Sequence, residues 1–163
     1  MEIRKVTFND DFAAIGSIYA ESWKFAYRGI VPQAYLDQLT NRRWMNALNE
    51  NRYDAFILLD NGQYIGTSSI CPARDKDMAG WGEIISLYLL PEYFGKGYAA
   101  LLLDYVVSAL QKEGFQRIYL WALEENARAR RFYEKQGFRW NGDTMEAVIG
   151  GKSLTEVRYI KKL

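Results

Sequence analysis

Hydrophobic and polar residues alternate along this chain with two different periods, and each change of period marks a predicted element. Strict alternation predicts strands, and Asn61-Gly62 between two such runs is a strong hairpin turn. Residues 83–90 are almost continuously apolar, which is typical of a central strand covered on both faces. The predicted strands are residues 1–8, 53–59, 64–70, 83–90, 118–122, 138–140 and 154–160, the last two joined around Ile149-Gly150-Gly151.

Apolar residues recur every three or four positions in the remaining segments, which predicts helices. The first helix follows Asn9-Asp10 as its cap, and residues 29–50 form two short helices, the second opening near Asn41. A longer helix runs from Gly97 to Gly114, and the last runs from Asn126 to about Gln136. The resulting order, β-α-α-α-β-β-β-α-β-α-β-β, predicts an α/β fold: a mixed sheet with helices on both faces, in one domain over residues 1–163.

Composition and charge limit the classes of partner. Hydrophobic residues make up 49% of the chain and charged residues 25%, which is a soluble globular balance. The net charge of +1 gives no broad field that would attract nucleic acid or an anionic membrane. Because no signal peptide and no run of 18 apolar residues is visible, we expect a cytoplasmic protein.

Two residue types are scarce enough to exclude whole classes of catalysis. The chain has no histidine, which excludes Ser-His-Asp and Cys-His nucleophilic sites and histidine metal sites. The single cysteine, Cys71, can form neither an internal disulfide nor a thiolate cluster, so no metal is expected. Acid–base chemistry must therefore come from Glu, Asp, Tyr, Lys or that one thiol.

Gly95-Lys96-Gly97 lies between the strand that ends at Leu90 and the long helix. Free N–H groups at a helix start bind anions, and glycines let a phosphate approach the backbone closely. A lysine is unfavourable at this end of a helix unless an anion binds there. The alternative is a plain strand-to-helix turn with a solvated lysine. The spacing fits neither a Walker loop nor a dinucleotide fingerprint.

Two segments resemble motifs of the GCN5-related N-acetyltransferase (GNAT) superfamily. FGKGYA, residues 94–99, is similar to motif A, Q/R-x-x-G-x-G/A, although Phe94 replaces the usual Gln or Arg. NARARRFYEKQGF, residues 126–138, is similar to motif B. It matches at Asn126, Ala129, Phe132, Tyr133, Gly137 and Phe138. The resemblance extends over essentially the whole chain.

The resemblance implies a mostly antiparallel sheet with a V-shaped splay between the strand ending at Leu90 and residues 118–122, where the cosubstrate acetyl-CoA binds. Phe94 cannot make the polar contact of the usual residue, and Arg128 or Arg130 is a candidate to compensate; alternatively, Phe94 packs against the adenine edge or a neighbouring side chain. The implied cofactor contacts are Leu87, Tyr88, Leu89, Phe94, Gly95, Lys96, Gly97, Tyr98, Ala99, Asn126, Ala129 and Tyr133.

The same resemblance implies catalytic roles for three residues. Tyr133 matches a tyrosine that donates a proton to the CoA sulfur; as an alternative, it is a core aromatic. Glu83, fourteen positions before Gly97, matches a glutamate base, and burial at a strand start is expected to raise its pKa. The alternative for Glu83 is a solvent-facing residue or an arginine pair. The N–H of Leu87 is the expected oxyanion donor.

The function implied is N-acetyl transfer from acetyl-CoA to a primary amine, directly and in a ternary complex, with a small-molecule acceptor favoured. Trp23, Tyr27 and Tyr88 are candidates for the acceptor pocket, although aromatic residues at this spacing more often belong to a core. Two alternatives stay open: a non-catalytic acyl-CoA-binding module and a protein or peptide acetyltransferase. Family members are often homodimers, but nothing in the sequence fixes such an interface.

Overall fold

The computed structural model describes all 163 residues, which form one seven-stranded sheet covered by five α-helices. Two short 3-10 turns, at Lys76–Met78 and Pro91–Tyr93, flank the fourth strand. The elements in chain order are β1 (Glu2–Lys5), α1 (Phe12–Ala26), α2 (Gln33–Asp37), α3 (Arg42–Asn49), β2 (Asp54–Asp60), β3 (Gln63–Pro72), β4 (Gly82–Leu89), α4 (Tyr98–Lys112), β5 (Arg117–Leu123), α5 (Ala127–Lys135), β6 (Arg139–Ile149) and β7 (Lys152–Lys162).

The strand order in the sheet is β1-β2-β3-β4-β5-β7-β6. Every neighbouring pair is antiparallel except β4 and β5, which are parallel. These two strands pair only at Gly82–Ile118 and Glu83–Tyr119, although β4 continues to Leu89 and β5 to Leu123. The sheet therefore opens into a V between them, which confirms the predicted mostly antiparallel sheet with a splay.

The alternation of β2 shows that both faces of the sheet are covered. Phe56 and Leu58 are buried in the core that α4 closes with Leu102, whereas Ile57 packs on the other face against Ile15 of α1. Because successive side chains of a strand point to opposite faces, one apolar strand supplies both cores. The prediction of helices on both faces is confirmed.

A bulge lies where the splay begins. Ile70 of β3 pairs with Ile84 of β4, but the next residue, Ser69, pairs with Ser86, so Ile85 is left without a partner. A bulge bends its strand and increases the local twist. This bend turns the end of β4 away from β5 and opens the cleft that is described below.

The structure corrects two predicted boundaries. The side chain of Asp11, not of Asn9 or Asp10, caps α1, while Asp10 forms an ion pair with Arg4. The strand predicted at 138–140 is the eleven-residue β6, and Phe138 lies before it in the core. The pattern was too weak to show this strand because β6 is an edge strand with mostly exposed side chains. No helix has the length and apolar character that a membrane crossing would need.

Candidate active site

A cleft of about 500 Å³ lies between the diverging ends of β4 and β5. Its walls come from the end of α1, the upper half of β4, the loop before α4, the end of β5 and one side of α5. Ten of the twelve predicted cofactor residues line it: Leu87, Tyr88, Leu89, Phe94, Gly95, Gly97, Ala99, Asn126, Ala129 and Tyr133. Their contact with a cofactor remains a prediction.

The edge of β4 that faces the cleft carries backbone groups without a strand partner. The N–H of Leu90 donates to the carbonyl of Ile65 on β3 at 2.8 Å. Since successive N–H groups of a strand point to opposite edges, those of Leu89 and Leu87 point into the splay. Parallel pairing with β5 ends at Glu83, so this edge can accept an extended ligand as a further strand would pair.

The loop before α4 presents an open cradle of amides. Gly95 and Gly97 have φ values of 73° and 87°, and a Cβ at either position would meet no atom within 4 Å. The N–H groups of Gly95, Lys96 and Gly97 have no backbone partner, and no side chain caps α4. Free amides in successive left-handed and helix-start positions form an anion-binding concavity. This geometry is consistent with the predicted phosphate role of the loop.

Lys96 and Tyr98, both predicted cofactor contacts, lie outside the cleft wall. The Lys96 ammonium is 5.5 Å from the centre of the Tyr93 ring. Tyr98 packs its ring on Tyr93 and directs its hydroxyl to Asp60 at 3.5 Å. In this conformation the two side chains point away from the cleft, and the contact of either residue with a phosphate stays a prediction.

Phe94 has a cationic neighbour in the cleft wall. The Arg128 guanidinium lies 4.5 Å from the centre of the Phe94 ring, and both residues line the cleft. Phe25 packs edge-on against the same ring at 5.3 Å. Arg130, the other predicted compensating residue, instead donates to the Tyr159 hydroxyl at 2.9 Å and does not line the cleft.

The cleft wall contains two more cations, Arg131 and Lys135, that the sequence reasoning missed. Together with Arg128 they stand three and four positions apart on α5, so they share one helix face. The spacing of the three cations is present in the segment ARARRFYEK, whereas the resemblance to motif B rests on its small and aromatic residues.

Asn126 caps α5 and also lines the cleft. Its Oδ1 accepts a hydrogen bond from the N–H of Ala129 at 3.2 Å, which caps α5. Its side chain also lines the cleft, and its Nδ2 donates to no protein atom. The hydrogen bond of the cap thus fixes the side-chain amide of Asn126, and its Nδ2 remains free to donate to a ligand.

Tyr133 combines a packed ring with an unpaired hydroxyl. The ring contacts Phe132, Phe138 and Tyr159 at centroid distances of 5.3–6.3 Å. Its hydroxyl lines the cleft without a protein hydrogen-bond partner. Burial, with the nearby Tyr88 hydroxyl, raises the pKa of Tyr133, so the phenol keeps its proton at neutral pH. Proton donation by Tyr133 stays a prediction that this geometry permits.

Glu83 is buried, but the expected rise in its pKa is wrong. Burial disfavours its charge, yet hydrogen bonds from Arg74 outweigh that effect and lower the pKa. Arg74 donates from Nη2 at 2.6 Å, Nε at 3.1 Å and its backbone N–H at 3.0 Å, and the Tyr119 hydroxyl donates at 2.9 Å. Glu83 does not line the cleft, because it lies where β4 still pairs with β5. The arginine-pair alternative describes its environment.

The three aromatic candidates for the acceptor pocket fall into two groups. Tyr27 and Tyr88 line the cleft, and their hydroxyl oxygens are 3.0 Å apart. Burial is the main reason that the pKa of Tyr88 rises to about 12 and that of Tyr27 also rises. Trp23 lies behind them, edge-on to Tyr27 at 4.8 Å, and does not line the cleft. Its buried indole N–H has no hydrogen-bond partner.

Glu156 of β7 is a half-buried carboxylate that the sequence reasoning missed. It pairs across the sheet with Leu123, so both side chains point to the same face; Leu123 lines the cleft, whereas Glu156 itself is not part of the cleft wall. Glu156 lies two positions from Leu154 and two from Arg158 on β7, and both of these are buried, so strand alternation in the sequence predicts that Glu156 faces inwards as well. No protein group forms a hydrogen bond or ion pair with its carboxylate. Burial raises the pKa of Glu156, opposed by Arg74 and reinforced by Asp75.

Sequence comparison agrees with this geometry. The family model described as "Acetyltransferase (GNAT) family" matches residues 13–138. The chain belongs to the GNAT family. An uncharacterized N-acetyltransferase of Mycobacterium bovis is 34% identical over 104 residues, which are 64% of this chain and 64% of that protein. The match thus spans less than two thirds of that relative. A spermidine N(1)-acetyltransferase of Thermoplasma acidophilum is 26% identical over 98% of both chains.

Solved structures share the fold of this GNAT protein. The PaiA N-acetyltransferase of Thermoplasma acidophilum in complex with coenzyme A has a TM-score of 0.76 at 23% identity, with 99% of this chain and 98% of that one covered. YncA of Salmonella typhimurium with acetyl-CoA has a TM-score of 0.74 at 22% identity, with 100% and 94% covered. At these identities the likeness concerns the fold.

Proposed function

We propose that this GNAT protein transfers an acetyl group from acetyl-CoA to the primary amine of a small molecule, directly and in a ternary complex. One observation carries the proposal: the unpaired edge of β4 is followed, after the Pro91–Tyr93 turn, by the open amide cradle of Gly95–Gly97. An acyl-CoA has the matching order of groups, an amide-bearing arm followed by a pyrophosphate. The two solved relatives above that contain coenzyme A or acetyl-CoA support this assignment.

The residues of the cleft suit the parts of acetyl-CoA. The Leu89 N–H suits an amide carbonyl of the pantetheine arm, which leaves the Leu87 N–H for the thioester oxygen, and the loop amides suit the pyrophosphate. The cationic face of α5, Arg128, Arg131 and Lys135, lies across the cleft and suits the remaining phosphate charge. These cations take over the polar contact that Phe94 cannot make.

For this reaction the protein needs to position the amine and the thioester and to transfer protons. An acceptor amine attacks the thioester carbonyl, and the oxyanion that develops needs a fixed donor, for which we propose the N–H of Leu87. Tyr133, whose hydroxyl is unpaired and protonated, is the proposed proton donor to the departing thiolate. Tyr27 and Tyr88 form the wall on the acceptor side.

A small-molecule acceptor is favoured over a protein by the relatives. The Thermoplasma spermidine acetyltransferase aligns over 98% of this chain, whereas a ribosomal protein bS18-alanine N-acetyltransferase of Haemophilus influenzae aligns over 53% at 33% identity. The second relative supports a peptide N-terminus as the alternative acceptor. A direct comparison of free amines with an N-terminal peptide distinguishes the two.

The test is calorimetric titration of the protein with acetyl-CoA, followed by CoA-release assays with a panel of amines and peptides. We expect binding with one site per chain and release of CoA with at least one free amine. Binding without release from any acceptor would instead support the non-catalytic acyl-CoA-binding module. Absence of binding would contradict both.

A further inference from the structure

We propose that Glu156 is the acceptor-side carboxylate of this site: it holds the ammonium group of the acceptor and takes its proton before attack. The class of acceptor that fits is a primary amine on an apolar or aromatic body without a carboxylate of its own. This inference rests on the proposed acetyl transfer. It assigns to β7 the base that the sequence reasoning placed at Glu83.

The position of Glu156 is set by the strand register. It lies next to the cleft wall, opposite Leu123 on β5, and Leu123 and Trp121 both line the cleft at the open end of the splay, whereas Glu156 itself does not. Leu123 belongs to the apolar cluster that Tyr27 joins from α1. The carboxylate therefore faces the α1 side of the sheet, and its charge acts on the hydroxyls of Tyr27 and Tyr88.

The carboxylate is available for a ligand, unlike its acidic neighbours. Glu83 is held by Arg74, and Asp75 accepts hydrogen bonds from Trp121 Nε1 at 2.8 Å and from Arg158 at 3.3 Å. Glu156 has no such donor, although it is half-buried. A carboxylate in this position is costly for the fold unless a cation pairs with it.

The surrounding groups define the class of acceptor. The charged groups that act on Glu156 are Arg74 and Asp75, and the guanidinium of Arg74 is already paired with Glu83. A carboxylate on the acceptor would be repelled by Asp75 and Glu156. The remaining surface, Tyr27, Trp121 and Leu123, is aromatic and apolar. These contacts favour arylalkyl or alkyl amines over amino acids.

The three protons of the acceptor ammonium group can all be accounted for with Glu156, Tyr133 and solvent. Glu156 takes one proton of the ammonium group and releases it to solvent, which leaves a neutral amine. The nitrogen then bonds to the acetyl carbonyl carbon and the C–S bond breaks. Tyr133 gives a proton to the thiolate and regains one from the nitrogen as the amide forms. The third proton stays on the amide nitrogen.

The experiment compares Glu156→Gln with wild type, using 2-phenylethylamine as the probe amine and L-phenylalanine as its carboxylate-bearing counterpart. Glu146→Gln is the matched control, since Glu146 is an exposed β6 residue opposite Thr155 that bonds only to Ser153. Calorimetry with acetyl-CoA, amine titration of the CoA-bound protein and the pH profile of kcat/KM are measured on all three proteins.

We expect Glu156→Gln to bind acetyl-CoA as wild type does but to lose about 10²-fold in kcat/KM for 2-phenylethylamine. Its affinity for the amine should fall, and the acid limb of the pH profile should disappear. Glu146→Gln should behave as wild type, and L-phenylalanine should be a poor acceptor throughout. Weakened amine binding in Glu156→Gln supports the inference even where turnover of the probe is slow.

Two outcomes overturn the inference and leave the proposed activity standing. One is an unchanged kcat/KM and pH profile in Glu156→Gln. The other is better acetylation of L-phenylalanine than of 2-phenylethylamine by wild type. Failure of wild type to bind acetyl-CoA contradicts the proposed function itself, and it is recognised separately in the calorimetric titration.

Discussion

At the scale of single residues, the buried Glu83 and the half-buried Glu156 of this sheet have opposite electrostatic environments. Glu83 is surrounded by three N–H donors of Arg74 and by the Tyr119 hydroxyl, and its pKa is lowered. Glu156 has no donor, and its pKa is raised. The first glutamate stabilises the fold in its charged form, whereas the second is strained when charged. The difference separates a structural carboxylate from one available for chemistry.

We predict that Glu83→Gln destabilises the protein by about 2 kcal/mol at pH 7 and leaves most of the activity. Since the folded pKa of Glu83 is lowered, its stabilisation is present above its unfolded pKa of about 4.5 and is lost as the pH falls further. Urea unfolding of both proteins at pH 7 and pH 3.5 should show a difference in free energy that shrinks at the lower pH. A large loss of kcat at unchanged stability would restore Glu83 as the base.

Glu156→Gln should have the opposite effect on stability. Because the folded pKa of Glu156 is raised, its contribution is favourable below its unfolded pKa and is lost as the pH rises through the folded value. The variant should therefore melt at a higher temperature than wild type at pH 7 and at a similar temperature at pH 4. Differential scanning calorimetry at the two pH values checks this, and a lower melting temperature at pH 7 would contradict it.

The Tyr133 hydroxyl can be removed without loss of a protein hydrogen bond. We predict that Tyr133→Phe lowers kcat about 10²-fold, with unchanged melting temperature and acetyl-CoA affinity. Tyr159→Phe is the control, because the Tyr159 hydroxyl accepts from Arg130 and donates to Glu134 at 2.8 Å. That variant should lose stability and keep kcat. Equal kcat values for Tyr133→Phe and wild type would remove Tyr133 from the mechanism.

At the scale of elements, the start of α4 is held open by backbone geometry rather than by side chains. Gly97 is the N-cap and has no side-chain hydrogen bond to offer, so the helix begins with free amides. The sequence located this loop, since Gly-Lys-Gly between an apolar strand and a helix allows either an amide cradle or a plain turn with a solvated lysine. It could not show that the Lys96 side chain lies over Tyr93 outside the cleft, because χ angles depend on neighbours distant in sequence.

Gly97→Ala tests the cradle. The positive φ of 87° makes any Cβ costly by about 1–2 kcal/mol, and the relaxed loop would misalign its amides. Gly80→Ala is matched, with a φ of 84° and equally open space but a position outside the cleft. Both variants should lose similar stability, whereas only Gly97→Ala should weaken acetyl-CoA binding in calorimetry. Equal affinities would show that the loop does not bind the phosphates.

Elements differed in how well the sequence predicted them, and the reason is burial. The central strands β2 to β5 and helix α4 have strong apolar periodicity, so their existence and order were predicted. Most side chains of β6 are exposed, so the sequence pattern predicted only the start of this strand. Glu156 and the cations Arg131 and Lys135 carry no motif. Their roles depend on which strand or helix lies opposite, and that information is contained only in the assembled sheet.

At the scale of the whole molecule, the sheet is one hydrogen-bonded surface with an internal gap. The pairing of β4 with β5 covers only two residue pairs, while β5 pairs with β7 along its full length. The gap divides the sheet into β1–β4, covered by α1 and α4, and β5–β7, covered by α5. An acyl-CoA bound across the gap would connect the two halves through backbone hydrogen bonds.

We predict that acetyl-CoA slows hydrogen exchange selectively at the N–H groups of Leu87 and Leu89. These amides face the splay in the free protein, whereas those of the paired residues, such as Leu90, are already bonded. Exchange measured by NMR with and without acetyl-CoA should show new protection at the two leucines. Uniform protection of all β4 amides would indicate general stabilisation without strand-like pairing.

The open edge of β4 also concerns the lifetime of the protein in a cell. An unpaired strand edge invites association with other chains, and local opening of a fold exposes its backbone to proteases. A ligand that binds only the folded chain at 100 times its Kd adds about 2.7 kcal/mol of stability. Abundance responds to free-energy changes of this size. The cellular pool of acetyl-CoA would therefore set how long the enzyme persists as well as how fast it works.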